Sequence, residues 1–350
     1  MSTGQTPARR AAPRSEDELE DRLSSPTAGV VDALSSCPGD ILILGAGGKM
    51  GVSLAGMARR AADTASARRR VIAVSRFRTP STALRLRSRG IETVTADLAN
   101  RDALDSLPDA PNVIYLAGQK FGTRESPGET WATNVVVPAQ VAERFHPARI
   151  VALSTGNIYP LTPVTAGGSR EEDAPGPVGE YAWSCLGRER VLEHASGRRA
   201  TRIAIVRLNY AVDLRYGVLV DLALRVASGA PIDLRMGHVN VIWQGDACAR
   251  IIQCLPLATA PPYLINVTGA ETLSIRELAG ELGRRLRREP VLSGTESGEA
   301  LLSSTSRALA LFGPPSVSSA DLLAWVAEWV SRGGATLGKP THFEERGGSF

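Results

Sequence analysis

The chain has 350 residues, 43% hydrophobic and 22% charged, ordinary globular proportions that exclude a largely disordered protein. Its apolar runs are a few residues long, as in Ile41-Leu42-Ile43-Leu44, far from the roughly 20 residues a membrane-spanning helix needs. The net charge of +4 combines 37 arginines with only three lysines (Lys49, Lys120 and Lys339), a skew that reflects a GC-rich genome more than a nucleic-acid surface.

Residues 1–14, small, polar and rich in Arg and Pro, are expected to be a disordered tail. Residues 15–36 are expected to form a helical appendage, with one helix from Ser15 to Leu34; Ser15 followed three residues later by Glu18 fits a capping box. Strand and helix signals then alternate. Strands are expected at Asp40–Leu44, Val71–Ser75, Thr93–Ala96, Val113–Ala117, Ile150–Ser154 and Ile203–Leu208, and helices at Met50–Ala62, Thr82–Arg89, Ala132–Phe145 and Tyr181–Ala195. The strands are continuous apolar runs, as strands covered on both faces of a parallel sheet are. The fold class is therefore α/β: a Rossmann-type, doubly wound parallel sheet over residues 37–208, with a return segment near 238–255. Past residue 208 the rhythm breaks. Helices at Val218–Ser228, Ile275–Arg288 and Ala320–Ser331, a short strand at Asn240–Trp243, and Pro/Gly joins suggest a smaller C-terminal α/β cap domain over 209–335 and a tail over 336–350 that drapes on the surface. The four cysteines form no C-x-x-C pair and the four histidines have no ligand spacing, so no metal site is expected. No secretory signal is apparent, and a cytoplasmic location is the expectation.

The most informative stretch is Gly45-Ala46-Gly47-Gly48-Lys49-Met50-Gly51, between the first strand and the first helix of the alternating region. Gly45 permits a tight turn, Gly48 lets a pyrophosphate approach the backbone, and Gly51 lets helix and strand pack closely. The helix N-terminus offers free N–H groups to phosphates, and Lys49 is expected to add a charge beside them. This arrangement calls for a dinucleotide, NAD(P). The second strand ends in Ser75-Arg76-Phe77-Arg78 with no acid, which tips the choice slightly toward NADP. Residues 59–89 hold ten arginines, but without interleaved aromatics or a reading element, nucleic acid is not the expected partner.

Over roughly residues 40–330 the ordered motifs resemble the extended short-chain dehydrogenases/reductases, also called NAD-dependent epimerase/dehydratases. The resemblance implies that Asp97-Leu98 meets the adenine and that Leu116-Ala117-Gly118-Gln119-Lys120 lines the nicotinamide side, as in UDP-glucose 4-epimerase. It implies that Asn134 opens a cofactor-lining helix and that Leu208-Asn209 enters the substrate domain. In the segment Ser154–Tyr159, Thr155 takes the place of the catalytic Ser/Thr. The family's Y-x-x-x-K signature reads Tyr181-Ala182-Trp183-Ser184-Cys185 here, with Glu189 following in register. The lysine is absent.

Three consequences of that absence are open. Tyr181 and Thr155 chemistry persists with Lys120 or the nicotinamide charge compensating; Cys185 acts as thiol acid/base or nucleophile; or the chain is an NAD(P)-binding regulatory or sensor protein without turnover. Tyr159 and Trp183 are expected to pack rather than act. The loop 160–179 is expected to act as a lid, and Asn209 and Arg215 to meet a small substrate, possibilities including a sugar or nucleotide-sugar, with a structural ion pair as the alternative role for Arg215. The implied activity is that of an oxidoreductase, epimerase or dehydratase working by hydride transfer at a hydroxyl- or carbonyl-bearing carbon. A homodimer through the helices beginning at Ala132 and Tyr181 is implied by the same resemblance.

Overall fold

In the computed structural model, residues 11–348 are described. Seven strands lie in one sheet in the order Tyr263–Val267, Arg202–Leu208, Arg149–Thr155, Asn112–Tyr115, Ile41–Leu44, Val71–Ser75, Glu92–Thr95. All neighbours pair in parallel. Chain order reverses between Ile41–Leu44 and Asn112–Tyr115, so the carboxyl ends of these two strands open a crevice there. The inner strands are apolar on both faces because helices cover both, while the edge strand Glu92–Thr95 is polar and partly exposed. Ile41 and Ile43 face one buried cluster, Leu42 and Leu44 the other.

Three expectations change. The appendage is two helices, Glu16–Leu23 and Ala28–Ser36. Pro26 lacks an N–H and interrupts the ladder, and Thr27 then caps the second helix by accepting from the Val30 amide at 3.3 Å. Residues 1–10 of the expected disordered tail lie outside the described residues, whereas Ala12 is buried against the C-terminal helices. The C-terminal region beyond 208 does not stay in one unit. The helix Gln244–Gln253 packs on the sheet, and Tyr263–Val267 becomes its seventh strand, pairing with Arg202–Leu208. The helix falls in the expected return segment, whereas the strand was illegible because Pro256, Pro261 and Pro262 precede it with turn signals.

The remaining segments form a smaller unit around the helices Val218–Ser228, Ile275–Leu286 and Ser319–Ser331, whose core includes Trp243, Trp325 and Trp329. The C-terminal tail does not merely drape. Phe343 is fully buried in this core, and Leu337 N–H donates to the Arg215 carbonyl.

One buried ionic network joins the sheet, the long helix Gly179–Arg199 and the loop 160–179. Arg207, 3% exposed, grips Glu189, 0% exposed, with Nη2 and Oε2 2.8 Å apart. Glu189 Oε1 also accepts from Ser154 Oγ at 2.5 Å. Arg207 Nη1 donates to Tyr159 Oη at 2.6 Å and to the Glu171 carbonyl at 2.9 Å, and Tyr159 Oη donates to Asn266 Oδ1. Removing one member of a fully buried pair leaves an uncompensated charge. Arg207→Met is expected to cost about 3–5 kcal/mol. Combined with Glu189→Leu it should cost less than the sum of the single changes. Urea unfolding of the four proteins checks this; additive losses would show that the pair does not act as a unit.

Candidate active site

Two cavities meet the carboxyl end of the sheet. The larger, about 880 Å³, runs along the crevice and is lined by Gly45, Gly47, Gly48, Ser75, Arg76, Asp97, Leu98, Ala117 and Gly118, among others. Its floor is shaped by close backbone approach. Gly45 has φ +89°, and a Cβ there would lie 2.6 Å from the Ala117 nitrogen; a Cβ on Gly51 would lie 2.3 Å from the Ala46 carbonyl oxygen. The helix Gly51–Thr64 begins at Met50 without any side-chain cap; the Gly51 N–H donates to the Gly48 carbonyl at 3.2 Å, and the next N–H groups of its first turn remain available beside the glycine loop. An elongated crevice with an uncapped helix start and no side chain at Gly48 fits a dinucleotide.

Within this crevice several expected residues line up together, but not all in the expected way. Arg76 Nη1 lies 3.6 Å from Asp97 Oδ2, so these two form one half-exposed ion pair on the wall. Asn134 does not face the crevice. It sits in a π-turn, Ala132–Val136, and its amide clamps the loop after Asn112–Tyr115: Oδ1 accepts from the Gln119 N–H at 2.9 Å, and Nδ2 donates to the Gln119 carbonyl at 2.9 Å and to Ser184 Oγ. It positions Gly118 rather than touching a ligand.

The smaller cavity, about 160 Å³, is lined by Lys49, Met50, Lys120, Thr155, Asn157, Tyr181, Leu208, Asn209, Tyr216 and Thr341, with others. It brings together Tyr181, Thr155, Lys120, Met50, Leu208 and Asn209 from the sequence expectations. Tyr181 and Thr155 side chains share a hydrogen bond. Thr155 is fixed by accepting from the Asn157 N–H and donating to Asn157 Oδ1 at 3.0 Å. Burial pushes the Tyr181 phenol well above its usual range, and the neighbouring Cys185 adds to this; Thr155 and Arg188 oppose it.

Lys49 departs from expectation. It turns away from the crevice where phosphates would lie and donates to the Ala211 carbonyl at 2.7 Å, with its ammonium 4.0 Å from the Tyr216 ring centre. Lys120 donates to the Thr341 carbonyl at 3.4 Å. Withdrawal from water pushes both lysines down to about 8.

Two further residues part from the expected site. Arg215 serves structure: it is held 3.0 Å from Asp213 and 3.5 Å from Glu20. Cys185 is 1% exposed, and burial raises its thiol pKa. A thiol kept protonated in an apolar wall is a poor nucleophile.

Three participants escaped the sequence. Thr341 and Tyr216 come from segments with no motif. Arg188 did have a signal, lying seven residues past Tyr181 on one helical face. It is 5% exposed and donates to the Leu153 carbonyl at 2.7 Å, Asn134 Oδ1 at 2.7 Å and the Asn134 carbonyl at 3.2 Å. A buried cation therefore lies one turn beyond the position where Y-x-x-x-K would supply one.

Burial of Cys185 and of the other three cysteines, Cys37, Cys248 and Cys254, predicts slow alkylation. Iodoacetamide at pH 7 should modify no cysteine in the folded protein within a time that labels all four in urea. Mass spectrometry reads the count, and rapid selective labelling of Cys185 would restore the nucleophile role.

Among the described residues there is no cluster of metal-ligating side chains, and no helix is long and apolar enough to cross a membrane. No curated protein matches the sequence. Solved structures do resemble the fold. The UDP-glucuronic acid 4-epimerase of Bacillus cereus, in complex with UDP-glucuronic acid and NAD, is 18% identical with a TM-score of 0.69, covering 84% of this chain and 99% of its own. The UDP-glucose 4-epimerase of Thermus thermophilus, in complex with NAD, is 18% identical with a TM-score of 0.68 over the same shares. MoeE5, in complex with UDP-glucose and NAD, is 19% identical with a TM-score of 0.66, again covering 84% and 99%. Residues 41–212, which carry six of the seven sheet strands, the crevice and both Thr155 and Tyr181, match the model of the NAD dependent epimerase/dehydratase family, and over that segment the chain is a domain of that family.

Proposed function

We propose that this protein is an NAD(P)-dependent enzyme that transfers hydride at a hydroxyl- or carbonyl-bearing carbon of a small molecule. The observation that carries this reading is the hydrogen-bonded Tyr181–Thr155 pair, set in its own cavity at the carboxyl edge of the sheet beside the glycine-lined crevice. The nicotinamide dinucleotide, when bound, supplies or accepts the hydride. The chain's own residues do the rest. Gly45, Gly48 and the first N–H groups of Gly51–Thr64 hold the pyrophosphate, while Ser75, Arg76, Asp97 and Leu98 flank the adenosine end. Thr155 orients the substrate oxygen, and Tyr181 moves its proton.

Because burial raises the Tyr181 phenol, the residue is protonated near neutrality and acts more readily as donor than as acceptor. Each pKa unit costs about 1.4 kcal/mol to reverse. A phenol that rests protonated is poised to donate to the oxygen of a carbonyl that receives hydride. Arg76 at the crevice wall, with no acid at the end of Val71–Ser75, supports the 2′-phosphorylated cofactor as the preferred one. Surface ion pairs are worth about 0–1 kcal/mol, so the Arg76–Asp97 contact does not prevent Arg76 from turning to a phosphate. The exposed side chains Trp131, Val136 and Trp183, on the paired helices expected to dimerise, support a second copy of the chain packing on that face.

Titration of the purified protein with NAD⁺, NADH, NADP⁺ and NADPH tests the cofactor reading, and binding of none would end it. Tyr181→Phe is expected to lower turnover by roughly 10²–10⁴ while leaving dinucleotide affinity within about twofold. Binding without turnover in the unaltered protein would favour the regulatory reading that the missing lysine also permits. Trp183→Glu should shift the mass measured by light scattering from dimer to monomer; an unchanged mass would remove that face from consideration.

A further inference from the structure

The smaller cavity has a charge and a size that its family membership does not dictate. Two of the chain's three lysines line it, and no Asp or Glu is among its lining residues. The nearest carboxylates are already engaged. Asp213 accepts from Arg215 Nη2 at 3.0 Å, and Asp221 Oδ2 accepts from Thr341 N–H at 2.7 Å and Thr341 Oγ1 at 2.5 Å. Lys49 spends one of an ammonium's three donors on Ala211. A third donor stands beside them: Asn209 lines the cavity, is 2% exposed, and its buried Nδ2 has no hydrogen-bond partner among the described residues. A buried amide donor left without an acceptor carries its full desolvation penalty, so an acceptor is expected to meet it.

Size points the same way. The cavity's 160 Å³ is well below the roughly 300–1,000 Å³ of sites that take drug-sized ligands. The C-terminal tail limits it. Thr341 forms one wall, Phe343 anchors the tail in the small unit, and Gly348 packs on Val178 and Gly179, close before Tyr181. The tail thus crosses from the small unit to the start of the helix that carries Tyr181.

We propose that the substrate is a small organic acid whose carboxylate is held by Lys49, Lys120 and Asn209 while its neighbouring hydroxyl or carbonyl meets Tyr181 and Thr155, and that the tail leaves no room for a nucleotide-linked substrate. This deepens the hydride-transfer reading and rests on it for the reacting group alone; the preference for an acid can be read from binding without turnover.

Calorimetry on the full-length protein, first alone and then saturated with whichever dinucleotide binds, compares D-glycerate with glycerol, D-glucuronate with D-glucose, and D-glucuronate with UDP-glucuronate. At least one acid should bind at least tenfold more tightly than its neutral counterpart. Lys49→Gln should remove most of that advantage, Lys120→Gln should reduce it, and UDP-glucuronate should bind more weakly than the free acid. Equal affinity for acids and neutral counterparts in the unaltered protein would overturn the proposal whether or not the variants fold. Tighter binding of UDP-glucuronate would equally overturn it, by showing that the tail does not exclude a nucleotide. Failure of every dinucleotide to bind, with the acid preference intact, would instead strike the hydride-transfer reading.

Discussion

The buried Arg207–Glu189 pair is the constraint on which the site depends. The cost of desolvating both charges is offset only because every polar atom around them is used: Ser154, Tyr159, the Glu171 carbonyl and, through Tyr159, Asn266. Those partners come from the strand Arg149–Thr155, the loop 160–179 and the seventh strand. Thr155 follows Ser154, and Tyr181 lies eight residues before Glu189 on the same helix. The distance between the two site residues is therefore set by a network that neither belongs to. Tyr159, expected to pack rather than act, is the hub that carries this network across the sheet.

With Cys185 four residues after Tyr181, positive charge near the site lies at other positions. Arg188 lies deeper, locked to carbonyl oxygens of Leu153 and Asn134. Lys49 and Lys120 line the cavity itself. A guanidinium held by three fixed acceptors is rigid, and burial prevents it from contacting solvent or ligand directly. Its field reaches Tyr181 through the protein, whereas the lysines can meet a ligand. Positive charge around Tyr181 is thus divided between one buried structural position and two positions that line the cavity.

Much of the sheet was legible because buried parallel strands are plain apolar runs, and the glycine loop because its turn, approach and packing requirements are each local. Tyr181 and Thr155 were legible through the family resemblance. What was illegible depended on distance along the chain. The seventh strand, Tyr263–Val267, is as apolar as the others, but it follows a proline-rich turn and lacks a preceding strand–helix repeat. Lys49 carried the right charge in the wrong direction: sequence places it in the loop, but only packing of Ala211 and Tyr216 against that loop decides which way it points. Thr341 reaches the cavity across more than 100 residues, through a bond to Asp221, and nothing near it in sequence signals that. For Arg215 the sequence left a ligand and a structural ion pair both open, and the partner Glu20 that pairs with it comes from the distant appendage.

That appendage has a mechanical consequence. Its first helix buries Leu19 and Leu23 in the core of the small unit, and its second buries Val30 and Leu34 against the sheet. Only Ser24–Thr27 separates them. Each such side chain is worth about 1.5–3 kcal/mol in its core. A hinge motion that parted the two units would have to draw one pair out, so the helices act as a strap across the joint. Reaching the small cavity by a wide opening of the two units would carry that cost, and the joint works less like a jaw than like a pinned seam.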